Sequence, residues 1–116
     1  MAIDKEFVKK WVAALRSGKY KQVKERLTNG KGGYCCLGVA CKLKSLPRFR
    51  YGLSYFYSSV AHNNDLLLPR EIRQDIGLDE YFQTELSSMN DEGSSFKEIA
   101  DYIERELLDE KEEKYP

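Results

Sequence analysis

The densest group of chemistry-bearing side chains is Arg16-Ser17-Gly18-Lys19-Tyr20-Lys21-Gln22. An anionic planar ligand calls for these types. Arg16 can grip a phosphate through two parallel hydrogen bonds, Lys21 supplies a point charge, Tyr20 a stacking face and Gln22 an amide for a base edge. The same residues also suit plain structure, since cations favour a helix C-terminus and Tyr20 can plug a core. Arg48, Arg50 and Tyr51 form a second group of this character, with Phe49, Tyr55, Phe56 and Tyr57 beside them. Aromatics interleaved with arginine stack bases and neutralise phosphate, or serve a protein interface, or simply cover a core as one face of a sheet. Asn90 and Asp91 lie before the last helical pattern, in Asn90-Asp91-Glu92-Gly93. Two acids there oppose an anion, so these residues are read as bonding a ribose hydroxyl, a base edge or nearby backbone.

Other chemistries are poorly served. Cys35, Cys36, Cys41 and His62 have the types of a zinc site but no C-x-x-C pair. On one helix, Cys36 and Cys41 would point about 140° apart. A Cys–His nucleophile pair has one histidine available and nothing local to place it. Buried small cysteines are the plainer reading, and neither a metal nor a cofactor is expected. Gly30-Lys31-Gly32-Gly33 is no Walker loop and reads as a tight turn. Residues 68–78 have a helix-turn-helix flavour but no partner helix. Duplex DNA binding is not expected of a chain with zero net charge.

These groups need elements to hold them. Residues 4–17 read as an amphipathic helix, with Phe7, Val8, Trp11, Val12 and Leu15 on one stripe, Asp4 as N-cap and Gly18 as the stop. Residues 19–34 lose the helical period and read as a hairpin or glycine-rich loop. The apolar run from Tyr34 to Cys41 reads as a short buried helix ending near Lys44, with a buried strand as the alternative that period alone leaves open. Phe49, Tyr51, Leu53, Tyr55 and Tyr57 alternate at period two, as in a strand or hairpin arm. Residues 62–65 read as a turn. Pro69 starts a short helix over 70–76 that Gly77 ends. Residues 79–93 read as a mixed connector. Ser95 and Glu98 make a capping box for a helix burying Phe96, Ile99, Ala100, Ile103 and Leu107, which frays into a charged tail at 109–116. The fold expected is α+β: one domain over 1–116, with three to four helices around a small antiparallel β-hairpin or sheet.

The 116 residues, 41% hydrophobic and 33% charged, suit one globular core. No apolar run is long enough for a membrane span, and the first ten residues lack a signal-peptide h-region. Three cysteines, two of them adjacent, make a poor disulfide framework and fit a reducing compartment. The charge is split: residues 1–50 hold 13 Lys/Arg against 3 Asp/Glu, net +10, and residues 51–116 balance this at −10. Such a split fits an anionic partner for the basic half, pairing of the halves within the chain, or a homo-oligomer.

The strings WVAALRSGKYKQ (11–22), YCCLGVAC (34–41), LP (68–69), GL (77–78) and ND-x-G with SF-x-x-IA (90–100) resemble a group of small proteins of tailed bacteriophages. The resemblance runs in order along almost the whole chain, with 45–65 particular to this protein. It supplies no catalytic roles. It implies expression in the cytoplasm of an infected bacterium, where small accessory proteins often oppose host defences. The expectation is a non-catalytic counter-defence protein that sequesters a small anionic nucleotide, of the cyclic type. The contacts expected are Arg16, Tyr20, Lys21, Gln22, Arg48, Arg50, Tyr51, Asn90 and Asp91. The alternative is an inhibitor that binds a host protein, and a cysteine-dependent enzyme stands third.

Overall fold

The computed structural model describes residues 3–46, 49–51, 54–56 and 67–108. Helix α1 spans Lys5–Arg16, with Asp4 as N-cap: its side chain accepts the Phe7 N–H at 3.1 Å. Its apolar stripe is fully used, since Phe7, Val8, Trp11, Val12 and Leu15 are all buried. Two short strands follow, β1 (Lys21–Gln22) and β2 (Gly33–Tyr34). Helix α2 (Cys36–Leu43) is buried from Cys36 through Cys41. Strands β3 (Phe49–Tyr51) and β4 (Ser54–Phe56) come next, then helices α3 (Arg70–Ile76), α4 (Glu80–Asp91) and α5 (Phe96–Ile103). A π turn, Glu104–Leu108, continues α5. No helix among the described residues is long and apolar enough to cross a membrane.

The core forms where α1 lies against α5, and where α2 lies against α1 and α4. Trp11 is fully buried, and its indole N–H donates to the Cys36 carbonyl at 2.9 Å, so the largest core side chain is also hydrogen-bonded. Among the described residues, ion pairs join the two charge halves at Arg16 and at Lys44. Arg16 reaches Asp101 and Glu104 at 2.7 and 2.9 Å, and Lys44 reaches Asp75 at 2.7 Å.

The α+β expectation is corrected on two counts. Five α-helices form among the described residues, and the strand pair beside them is parallel, with Lys21 opposite Gly33 and Gln22 opposite Tyr34. The cause lies at Leu27. Its buried side chain draws residues 27–28 along 34–35, where Thr28 bridges Tyr34 antiparallel and the Cys35 N–H donates to the Leu27 carbonyl. That fills one edge of β2, so β1 takes the other edge in the same direction. Gly38 permits this closeness: a Cβ there would lie 1.8 Å from the Leu27 carbonyl oxygen. Strands β3 and β4 do pair antiparallel, but as a separate two-stranded unit and not as a sheet for the helices to surround.

The fifth helix is α4, in the segment read as a connector. Its buried positions are Gln83, Leu86, Ser87 and Asn90, which follow the helical period with mostly polar residues. Hydrophobic periodicity cannot show such a stripe. Leu107 is a smaller correction. The helical period of α5 lengthens in the π turn, so Leu107 leaves the stripe of Phe96, Ile99, Ala100 and Ile103 and is half-buried. The expected turn at 62–65 and tail at 109–116 lie outside the described residues.

Candidate functional site

Asn90 is the most connected polar residue of the fold and is fully buried. Its Oδ1 accepts from Gln22 Nε2 at 2.8 Å and from the Cys36 N–H at 3.2 Å, and its Nδ2 donates to the Val23 carbonyl at 2.8 Å. Gln22 Nε2 also donates to the Ser94 carbonyl at 2.8 Å. Asp91 accepts the N–H of Glu25 at 2.8 Å. Glu25 has φ 63°, a left-handed conformation that costs a non-glycine residue about 1–2 kcal/mol. The charge-assisted bond from Asp91 offsets that cost. Gln22, Asn90 and Asp91 are therefore together in space, and they spend hydrogen bonds on the protein. They clamp α4 to β1, to the N-terminus of α2 and to the loop after β1.

The other expected contacts diverge. Arg16 faces α5 and the π turn, and the hydrogen bonds it donates to Glu104 first, then to Asp101, raise its pKa. Tyr20 is half-buried and stands edge-on to Tyr34, ring centres 5.6 Å apart. Lys21 is exposed on β1. Arg50 and Tyr51 lie on β3, where the backbone alone is described, and Arg48 lies outside the described residues.

The glycine loop is closed to phosphate. Asn29 Oδ1 accepts the N–H groups of Lys31 and Gly33 at 2.8 and 2.9 Å, the place an anion's oxygen would take. Thr28 Oγ1 accepts the Gly30 N–H. The loop is a self-capped turn.

The cysteines are core. Cys35 Sγ caps α2, accepting the Gly38 N–H at 3.4 Å, and Cys36 Sγ donates to the Leu86 carbonyl at 3.6 Å. Burial pushes the Cys35 thiol up to about 11 and raises Cys36 and Cys41 as well, the opposite of what a nucleophile needs. Among the described residues no three His, Cys, Asp or Glu side chains converge as metal ligands.

The loop of residues 19–31 remains. Lys19, Lys21, Lys24 and Lys31 are exposed and Arg26 is half-buried, and no carboxylate among the described residues pairs with any of them. The β1–β2 register sets Lys21 beside Gly33, so the Lys19–Lys21 and Lys31–Gly32 stretches rise side by side. Sequence reasoning carried Lys21 into the expected contacts, named Lys19 beside it and Lys31 in the glycine loop without giving them a contact, and passed over Lys24 and Arg26. The spacing of cations through a stretch with no helical period was the available signal.

The fold and this site define a small helical protein whose polar motifs lock its own core and whose cations gather on one braced loop. The chain belongs to the family described as Domain of unknown function (DUF8296), whose model matches residues 3–80, from before α1 to the start of α4. No curated protein and no solved structure matches the chain.

Proposed function

We propose that the protein acts by binding, without catalysis, and that its loop of residues 19–31 docks on an acidic surface of a host protein. The observation carrying this reading is the division of labour among the polar residues. Arg16, Gln22, Asn90 and Asp91, which would grip and read a nucleotide, are held in internal bonds. The four exposed lysines of the loop have no ion-pair partner among the described residues. Lysine is a hydrated point charge on a flexible stem, better suited to steering onto an extended acidic surface than to bidentate recognition of one phosphate. The clamp from Asp91 and Asn90 supports the same reading, because a braced loop loses less conformational freedom on docking. The resemblance to small tailed-phage proteins supports taking the host as an infected bacterium and the role as counter-defence.

The test pairs two measurements. Purified protein is unfolded thermally against a panel of linear and cyclic nucleotides, and tagged protein is used to capture partners from host lysate at several salt concentrations. The expected result is no nucleotide shift and one stoichiometric host protein. Its capture weakens with salt and is lost when Lys19, Lys21, Lys24 and Lys31 are all changed to Glu, with the fold unchanged. A nucleotide at 100 times its Kd would stabilise the fold by about 2.7 kcal/mol. A selective shift of that size, with the nucleotide recovered intact, would overturn protein docking in favour of nucleotide sequestration.

A further inference from the structure

Five cations share the loop of residues 19–31, and they are not equivalent. Lys19, Lys21, Lys24 and Lys31 are exposed, whereas Arg26 is half-buried. Among the described residues no hydrogen bond or ion pair engages the Arg26 guanidinium, and no buried side-chain nitrogen lacks a partner. The planar fork therefore reaches solvent, and the cover falls on the rest of the residue. The backbone of Arg26 is also held on both sides. Before it, the Glu25 N–H donates to Asp91 at 2.8 Å. After it, Leu27 is fully buried and its carbonyl accepts the Cys35 N–H at 3.1 Å. Arg26 thus stands between a brace to α4 and a bond to the N-cap of α2. Lys19 and Lys31 are tied by their N–H groups only within their own turns, to Ser17 and Asn29.

A partly covered arginine on a fixed backbone has fewer rotamers to lose on binding than an exposed lysine. Its fork takes a carboxylate through two parallel N–H···O bonds, which a lysine ammonium cannot match in geometry. Exposed lysines steer a partner in, while a desolvated arginine holds it. Resting on the docking reading above, we infer that Arg26 is the specificity-determining residue of the loop and grips one Asp or Glu carboxylate of the partner's acidic surface. A carboxylate suits it better than a phosphate. A phosphate needs more donors than one fork supplies, and the N–H groups nearby are taken: Asn29 Oδ1 holds those of Lys31 and Gly33, and Asp91 holds that of Glu25. Glu25 is the one acid of residues 19–31 and is exposed beside Arg26, so the five cations leave the loop strongly positive.

The probe is a short peptide of glutamates spaced by glycines, compared with its glutamine counterpart and with inorganic phosphate. Binding to the full chain is followed by backbone amide and arginine Nε–H chemical shifts, and by fluorescence anisotropy over a salt series. The expected result is saturable binding of the glutamate peptide, with the Nε–H of Arg26 moving most among the arginines. Arg26→Lys keeps the charge and loses the fork, so it binds about tenfold more weakly, a loss of about 1.4 kcal/mol, with its salt dependence unchanged. Lys19→Gln, Lys21→Gln, Lys24→Gln and Lys31→Gln, made singly, each weaken binding by less than about fivefold and flatten its salt dependence. A preserved amide spectrum verifies each fold, and the Nε–H shift of the unsubstituted chain decides the matter if a variant fails to fold. Shifts at the four lysines with the Arg26 Nε–H unmoved, or full-strength binding by Arg26→Lys, would overturn the role of Arg26 and leave the loop reading standing. A larger Arg26 shift with phosphate than with the peptide would overturn the choice of a carboxylate. Equal binding of the glutamine peptide, or no loop shift at all, would overturn both this role and the loop reading.

Discussion

Replacing Asn90 by alanine tests the claim that this residue is the polar keystone of the fold and not a ligand contact. The substitution strands two backbone groups, the Cys36 N–H and the Val23 carbonyl, each of which has Asn90 as a hydrogen-bond partner within 3.2 Å. Gln22 keeps its bond to the Ser94 carbonyl and is only half stranded. A buried unpaired polar group costs about 1–3 kcal/mol, so two give about 2–6 kcal/mol before any cavity is counted. Domains of this kind hold about 5–15 kcal/mol in all. At about 4–8 °C per kcal/mol for a small domain, the midpoint should fall by at least about 8 °C. Urea unfolding followed by circular dichroism measures the loss directly. Gln22→Ala, alone and combined with Asn90→Ala, should show non-additivity because the two amides share a bond. A loss below about 1 kcal/mol for Asn90→Ala would refute the reasoning, because water would then be replacing the carboxamide at a site the fold holds dry.

Three further outcomes follow from the same structure. Gly38→Ala should fail to fold or lose more than about 4 kcal/mol, because the new Cβ meets the Leu27 backbone oxygen and neither main chain can yield cheaply; soluble yield and thermal midpoint check this. Arg16→Ala should cost no more than about 1 kcal/mol, since its two ion pairs are solvent-exposed, and should leave partner capture intact, whereas a ligand-gripping arginine would abolish function. The thiols should stay unlabelled by maleimide at pH 8 until the protein is unfolded. Cys35 titrates near 11 in the fold against 9.0 for an ordinary thiol, so its contribution is complete below pH 9 and declines as pH rises from about 9 through about 11. Chemical denaturation across that window should show stability falling with pH, and rising stability would contradict a buried neutral thiol.

The sequence by itself determined the elements whose signals are local. The apolar stripe of α1, its Asp4 cap, the Ser95–Glu98 capping box and the Gly77 stop all act within a turn or two of their own positions, and the structure holds each of them there. Helix α4 was hidden because Gln83, Ser87 and Asn90 occupy its buried face, and the burial of Gln83 and Asn90 is tolerable only once Leu68, Gln22, Val23 and Cys36 arrive to bond them. The direction of β1 was hidden for a related reason: it depends on Leu27 occupying the other edge of β2, which the buried α2 and its glycine make possible. The same limit governed the site. Side-chain types show what a residue can bond, and only the tertiary structure decides whether the protein takes that bond first. Arg16, Gln22, Asn90 and Asp91 had the right groups for a ligand, but partners up to 88 positions away in the chain had already claimed them. Lys19, Lys21, Lys24 and Lys31 met no such claim: the nearest acid of another element, Asp91, spends its carboxylate on the Glu25 N–H, and no carboxylate among the described residues pairs with the four lysines.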